Sequence, residues 1–108
     1  MYSNILVPVD LGRTERLQPM LDVARRLGTA GAKITLVNVV ENLPSYIATQ
    51  LPADLTARSM EEAREKLHNK IAELGIDLEI DVRNGHPATQ ILECATDRKA
   101  DLVVIASH

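Results

Sequence analysis

Two stretches of this chain, ILVPV at residues 5–9 and LVVIA at residues 102–106, are aliphatic without a polar break. A strand with one face in water alternates apolar and polar residues, whereas a strand covered on both faces does not. These runs therefore predict two central strands of a parallel sheet with helices on both sides. A third run, AKITLVNVVE at residues 32–41, is rich in β-branched residues and predicts another strand. The fourth, IDLEIDVRNG at residues 76–85, sets Leu78, Ile80 and Val82 against Glu79, Asp81 and Arg83. That alternation predicts a half-buried edge strand. Pro8 has no amide hydrogen to give a ladder, so it belongs at the end of the first strand.

Helical patterns separate these strands. Leu17, Met20, Leu21, Ala24 and Leu27 share one face, with Thr14 as candidate N-cap, Pro19 suited to a first turn and Gly28 as candidate C-cap. Met60, Ala63, Leu67, Ile71 and Leu74 form a second stripe, ended by Gly75. Ala88, Ile91, Leu92 and Ala95 form a third, with Pro87 near its start and Cys94 beside the stripe. The order β-α-β-α-β-α-β implies right-handed crossovers and an open parallel α/β sheet with helices on both faces. The two unalternated runs should be adjacent and central, giving strand order 3-2-1-4. No linker or repeat divides residues 1–108, which are read as a single domain.

Composition excludes several function classes. Aromatic residues make up 2% of the chain, so stacking platforms for single-stranded nucleic acid are missing. A net charge of -3 without a basic run argues against duplex binding. There is no apolar stretch of roughly 20 residues to span a bilayer and no signal-peptide pattern at the start. The single cysteine permits no internal disulfide. Together these predict a cytoplasmic protein without membrane or nucleic-acid partners.

In open parallel sheets, ligands bind beyond the carboxyl ends of the strands, where strand order reverses. That rule selects Asp10, residues 39–41 and residues 106–108. No P-loop, GxGxxG, GxSxG or HExxH motif is present, and His68, His86 and His108 lack metal-ligand spacing. A phospho-receiver domain has similar topology, but it needs paired acids after the first strand, and Asp10 stands alone there.

NILVPVD at residues 4–10, VNVVE at 37–41, GHPATQILECA at 85–95 and ADLVVIASH at 100–108 resemble, in order, the universal stress protein family. The resemblance spans essentially the whole chain. It implies a five-stranded parallel sheet in order 3-2-1-4-5, a homodimer, and one of two subclasses, ATP-binding or non-binding. In ATP-binding members the acid after the first strand contacts the nucleoside, here Asp10, two residues after Pro8, which is counted with it in the site. Backbone at the end of the second strand contacts adenine, here Val39. A phosphate-cradling motif, G-x2-G-x9-G-[ST], starts after the fourth strand and falls here on Ala106, Ser107 and His108.

The match implies a fifth strand and the remainder of that loop beyond His108. Ala106 stands where the family has its first glycine, and its methyl narrows backbone approach. The wording VPVD and IASH is closer to the ATP-binding subclass, so the expected ligand is ATP, with Mg as its companion ion. Asp10 also has a plainer reading as a turn cap, and His86 as a residue that shapes the start of the third long helix. Tyr46 could cover a nucleotide. No nucleophile–base pair or metal cage is evident, and no catalytic residue is assigned. The alternatives are a non-binding dimeric interaction module of the same fold and an adenine-nucleotide hydrolase. The hydrolase would want a glycine- and serine-rich loop where DLGRTERLQ stands.

Overall fold

The computed structural model describes residues 1–106. Four strands, β1 (Tyr2–Pro8), β2 (Gly28–Val40), β3 (Glu79–Asn84) and β4 (Leu102–Val103), form one sheet in the order β3-β2-β1-β4. All three pairings are parallel. The expected order therefore holds, with the alternating strand at one edge and the two aliphatic runs side by side. Only the first run is central among the described residues: β4 is an outer strand of two residues, and Ile105, expected inside it, is 69% exposed. Pro8 is the last residue of β1, and the next amide, of Val9, continues the ladder to the Val37 carbonyl at 2.8 Å.

The helices are α1 (Leu17–Leu27), a short α2 (Ser45–Ala48), α3 (Leu55–Leu74) and α4 (Pro87–Asp97). One face of the sheet packs Ile5, Val7, Val9, Leu36 and Val82 with Leu17, Leu21 and Ala24 of α1 and Ala63 and Leu67 of α3. The opposite face packs Leu6 and Val37 with Cys94, Ile91 and Ala95 of α4. Ile5 and Leu6 are both fully buried, on opposite faces, which is why the run they belong to could not alternate.

Several local expectations are corrected. Thr14 does not cap α1. It opens a 3-10 turn, Thr14–Arg16, and neither helix start there has a side-chain cap. Leu27 lies at the end of the α1 stripe but is 39% exposed. Gly28 is the C-cap of α1, yet its backbone is extended (φ -80) and needs no glycine. Close approach favours it instead: a Cβ there would lie 3.0 Å from the Ala32 Cβ, 3.1 Å from the Ala24 carbonyl and 3.2 Å from the Ile5 Cδ1, tight contacts that the neighbours would have to relieve by a few tenths of an ångström. After Gly28, β2 advances from Gly28 to Lys33 while β1 advances only from Tyr2 to Asn4, so the extra residues bulge out.

Gly75 ends α3 in the left-handed conformation (φ 68), its amide donating to the carbonyls of Ile71 and Ala72. A Cβ at Gly75 would meet nothing within 4 Å, so Gly75→Ala isolates backbone strain. It should cost about 1 kcal/mol, a fall of roughly 5 °C in Tm by thermal unfolding. An unchanged Tm would show that α3 frays before Gly75.

The charged side of β3 faces water at Glu79, as its alternation suggested, but Asp81 and Arg83 are half-buried beneath α4 and its C-cap. Asp81 accepts a two-pronged contact from Arg83 (both 3.2 Å), a 2.8 Å bond from the Arg98 Nε and a 3.4 Å contact from the Cys94 thiol. Arg83 also reaches Asp97 at 2.9 Å, and Arg98 reaches Glu79 at 2.8 Å. These bonds lash edge strand β3 to α4 and its C-cap. Burial pushes Asp81 toward a higher pKa, but the donors outweigh it and hold its carboxyl below the ordinary value. Burial, then the Asp81 carboxylate, push the Cys94 thiol up, so Cys94 stays a protonated donor.

A second clamp joins the α4–β4 turn to β1. The Asp101 carboxylate accepts from the amides of Ser3 (3.0 Å) and Asn4 (2.9 Å), while the Asn4 side chain donates to the carbonyls of Arg98 and Lys99. This clamp sets the register in which β4 meets β1, and hence what β4 delivers at its carboxyl end.

Candidate functional site

β1 connects through α1 to β2 on one side, and β3 connects through α4 to β4 on the other. Strand order therefore reverses between β1 and β4, which opens a crevice at their carboxyl ends. A cleft of about 350 Å³ occupies that place. Its volume lies within the roughly 300–1,000 Å³ usual for small-molecule sites. Pro8 and Asp10 reach it from β1, Val39 and Glu41 from β2, and Ala106 from beyond β4. Of the six residues picked from sequence, four thus line one cleft; Ser107 and His108 lie outside the described residues. Met20, Ile91 and Ile105 add apolar wall.

Asp10 has a definite local geometry. Its Oδ1 accepts the Gly12 amide at 2.8 Å, and its carbonyl accepts the Arg13 amide at 2.9 Å. The plainer reading of Asp10 as a turn cap is therefore correct for one oxygen. That bond also orients the side chain, leaving Oδ2 without a hydrogen bond among the described residues. A carboxylate held this way can accept from a ligand hydroxyl without first being ordered.

Sequence reasoning missed three polar residues of the cleft. Arg13 and Arg16 stand in the connection after β1, and both line the cleft. Their signal was their place just past the carboxyl end of a central strand; they passed as the approach to a helix. Asn38 is the third. Its side-chain amide donates to the Val9 carbonyl at 2.9 Å, pinning the end of β1 to β2 directly before Asp10. Asn38→Leu should remove that donor and cost about 1–2 kcal/mol in urea unfolding. An Asn38→Leu protein as stable as the parent would show that the Val9 carbonyl finds water instead.

Tyr46 does not line this cleft; it is 73% exposed on α2. A larger cavity, about 510 Å³, lies at the other end of the sheet, between the Gly28–Lys33 bulge and the segment from Ile76 to Glu79. The Lys33–Glu79 ion pair, at 3.2 Å, stands in its wall. Size alone would favour it, but it sits at the amino ends of the strands, where an open sheet offers no switch point. Among the described residues, no three His, Cys, Asp or Glu side chains are placed to hold a metal ion. No helix among them is long and apolar enough to cross a membrane.

Fold and cleft together define an open-sheet α/β domain with a ligand-sized crevice at its switch point. The chain belongs to the universal stress protein family, whose model matches residues 1–108. Universal stress protein MJ0531 of Methanocaldococcus jannaschii is 26% identical over 111 residues, covering 99% of this chain. This chain spans 65% of that relative's length. Among solved structures, hypothetical protein MJ0577 superposes with a TM-score of 0.76 at 25% identity, over 100% of this chain and 76% of that one. Protein Rv1636 from Mycobacterium tuberculosis H37Rv shares the fold, with a TM-score of 0.51 at 22% identity, covering 94% of this chain and 68% of its own.

Proposed function

We propose that this stress-protein domain binds an adenine nucleotide, ATP, in the cleft at the carboxyl ends of β1, β2 and β4, and acts as a regulatory module. One observation carries the reading. Pro8, Asp10, Val39 and Ala106, each picked from the sequence by strand topology or family resemblance, come from the ends of three different strands to line a single cleft. The base would lie against Val39, the ribose hydroxyls would reach Asp10, and the phosphates would extend toward Ala106. Mg²⁺ would arrive as the counter-ion of the triphosphate. In this reading the domain binds and signals rather than catalyses, in the cytoplasm and as a homodimer.

The test is isothermal titration of the protein with ATP, paired with its thermal shift. Saturable one-site heat, and a Tm that rises with ligand, are expected. At 100 times the dissociation constant the added stability is about 2.7 kcal/mol. Absence of both effects would favour the non-binding dimeric module. That reading draws support from Val23 and Ile105, large apolar side chains left exposed beside β4.

A further inference from the structure

The cleft carries its charges at different places. Glu41 enters it from the end of β2 and Asp10 from the end of β1. Arg16 lines both this cleft and the neighbouring groove along β4, together with Met20, Ile105 and Ala106, so it marks the β4 end. Arg13 lines the cleft from the turn that Asp10 closes. Its ion pair with Glu15 is 3.9 Å long between two well-exposed side chains, and such a pair is readily exchanged for another anion. A ligand fitting this pattern presents hydrogen-bond donors to the carboxylates and concentrated negative charge to the guanidiniums. Guanidinium forks match phosphate oxygens in pairs.

We propose that Arg13 and Arg16 form the anion-binding end of the cleft and make the site selective for ligands bearing a polyphosphate. Phosphate recognition then resides partly in the β1–α1 connection, on the side of the cleft facing residue 106. The methyl of Ala106 limits how closely backbone approaches there, and long arginine side chains reach across such a gap where a backbone amide cannot. The inference rests on the nucleotide reading above, but the arginines can be examined apart from the base.

The experiment compares the parent protein with Arg13→Gln and Arg16→Gln, each titrated with ATP, adenosine and inorganic triphosphate at low salt. Circular dichroism melts check that the variants fold. Expected is loss of ATP and triphosphate affinity by about tenfold or more in each variant, with adenosine affinity unchanged. Variants that bind ATP and triphosphate like the parent would overturn the inference and leave the nucleotide reading intact. Triphosphate binding that the variants lose, in a protein indifferent to adenosine, would uphold the anion end and sink the adenine reading. A parent that binds none of the three ligands refutes both.

Discussion

Asp10→Ala is expected to weaken ATP binding about tenfold or more. A hydrogen bond to a charged acceptor is worth roughly 1.5–3 kcal/mol, and tenfold in affinity is about 1.4 kcal/mol. Asp10 is suited to give the full value because its Oδ1 is already tied to the Gly12 amide at 2.8 Å. Little rotamer freedom is left to lose when a ligand arrives. The substitution also removes the turn contact, so a control is needed. Asp10→Asn keeps a carbonyl oxygen for the Gly12 amide while losing the charge. It should retain parental stability and still bind ATP more weakly than the parent. Calorimetry on the three proteins decides the matter. Unchanged ATP affinity in Asp10→Ala would leave Asp10 as a turn cap alone.

Asp81→Ala should be strongly destabilising, at about 2–3 kcal/mol. The carboxylate is 16% exposed and answers Arg83 and Arg98, which are 19% and 25% exposed. Its removal leaves two half-buried guanidiniums, and the Cys94 thiol, short of an acceptor. Glu79 and Asp97 remain to hold the outer arms of the arginines, which keeps the loss below that of a fully buried pair broken open.

The same residue predicts a pH dependence. The folded-state pKa of Asp81 is depressed below its ordinary value of 3.8. Its stabilisation is therefore fully present above that value and is lost as pH falls through the lower, folded-state pKa. Urea unfolding of parent and Asp81→Ala should give curves well separated at neutral pH that converge below the ordinary carboxylate range. A separation independent of pH would mean that packing, not charge, is what the substitution removes.

Much of the fold was legible because strand burial leaves a direct trace in residue pattern. ILVPV had to be central since both of its faces are covered, as Ile5 and Leu6 now show. LEIDV was legible as a strand from its alternation and does stand at the edge, but the covering of Asp81 and Arg83 by α4 and its C-cap left no trace in that pattern. Gly75 was legible as a helix stop because only its backbone conformation mattered. Gly28 was named at the correct position for the wrong reason. Its advantage arises from Ala32, Ala24 and Ile5 crowding one point, and no local pattern encodes that meeting.

The candidate site divides in the same way. The positions after the strands followed from topology and from the family resemblance, and Asp10, Val39 and Ala106 fell together as a result. What the sequence by itself determined was the alternation of elements, the order of the strands, and hence which end of the sheet holds the crevice. These depend on periodicity and on the hand of crossovers, which are properties of one segment or of successive segments. What only the tertiary structure decided was which side chains face one another: Asn38 on the Val9 carbonyl, Arg98 on Asp81, Arg13 and Arg16 at the cleft. Those meetings depend on strand register and on the rotation of each helix about its axis. Both are settled by packing across the sheet, and a shift of one residue or a fraction of a turn would replace every partner.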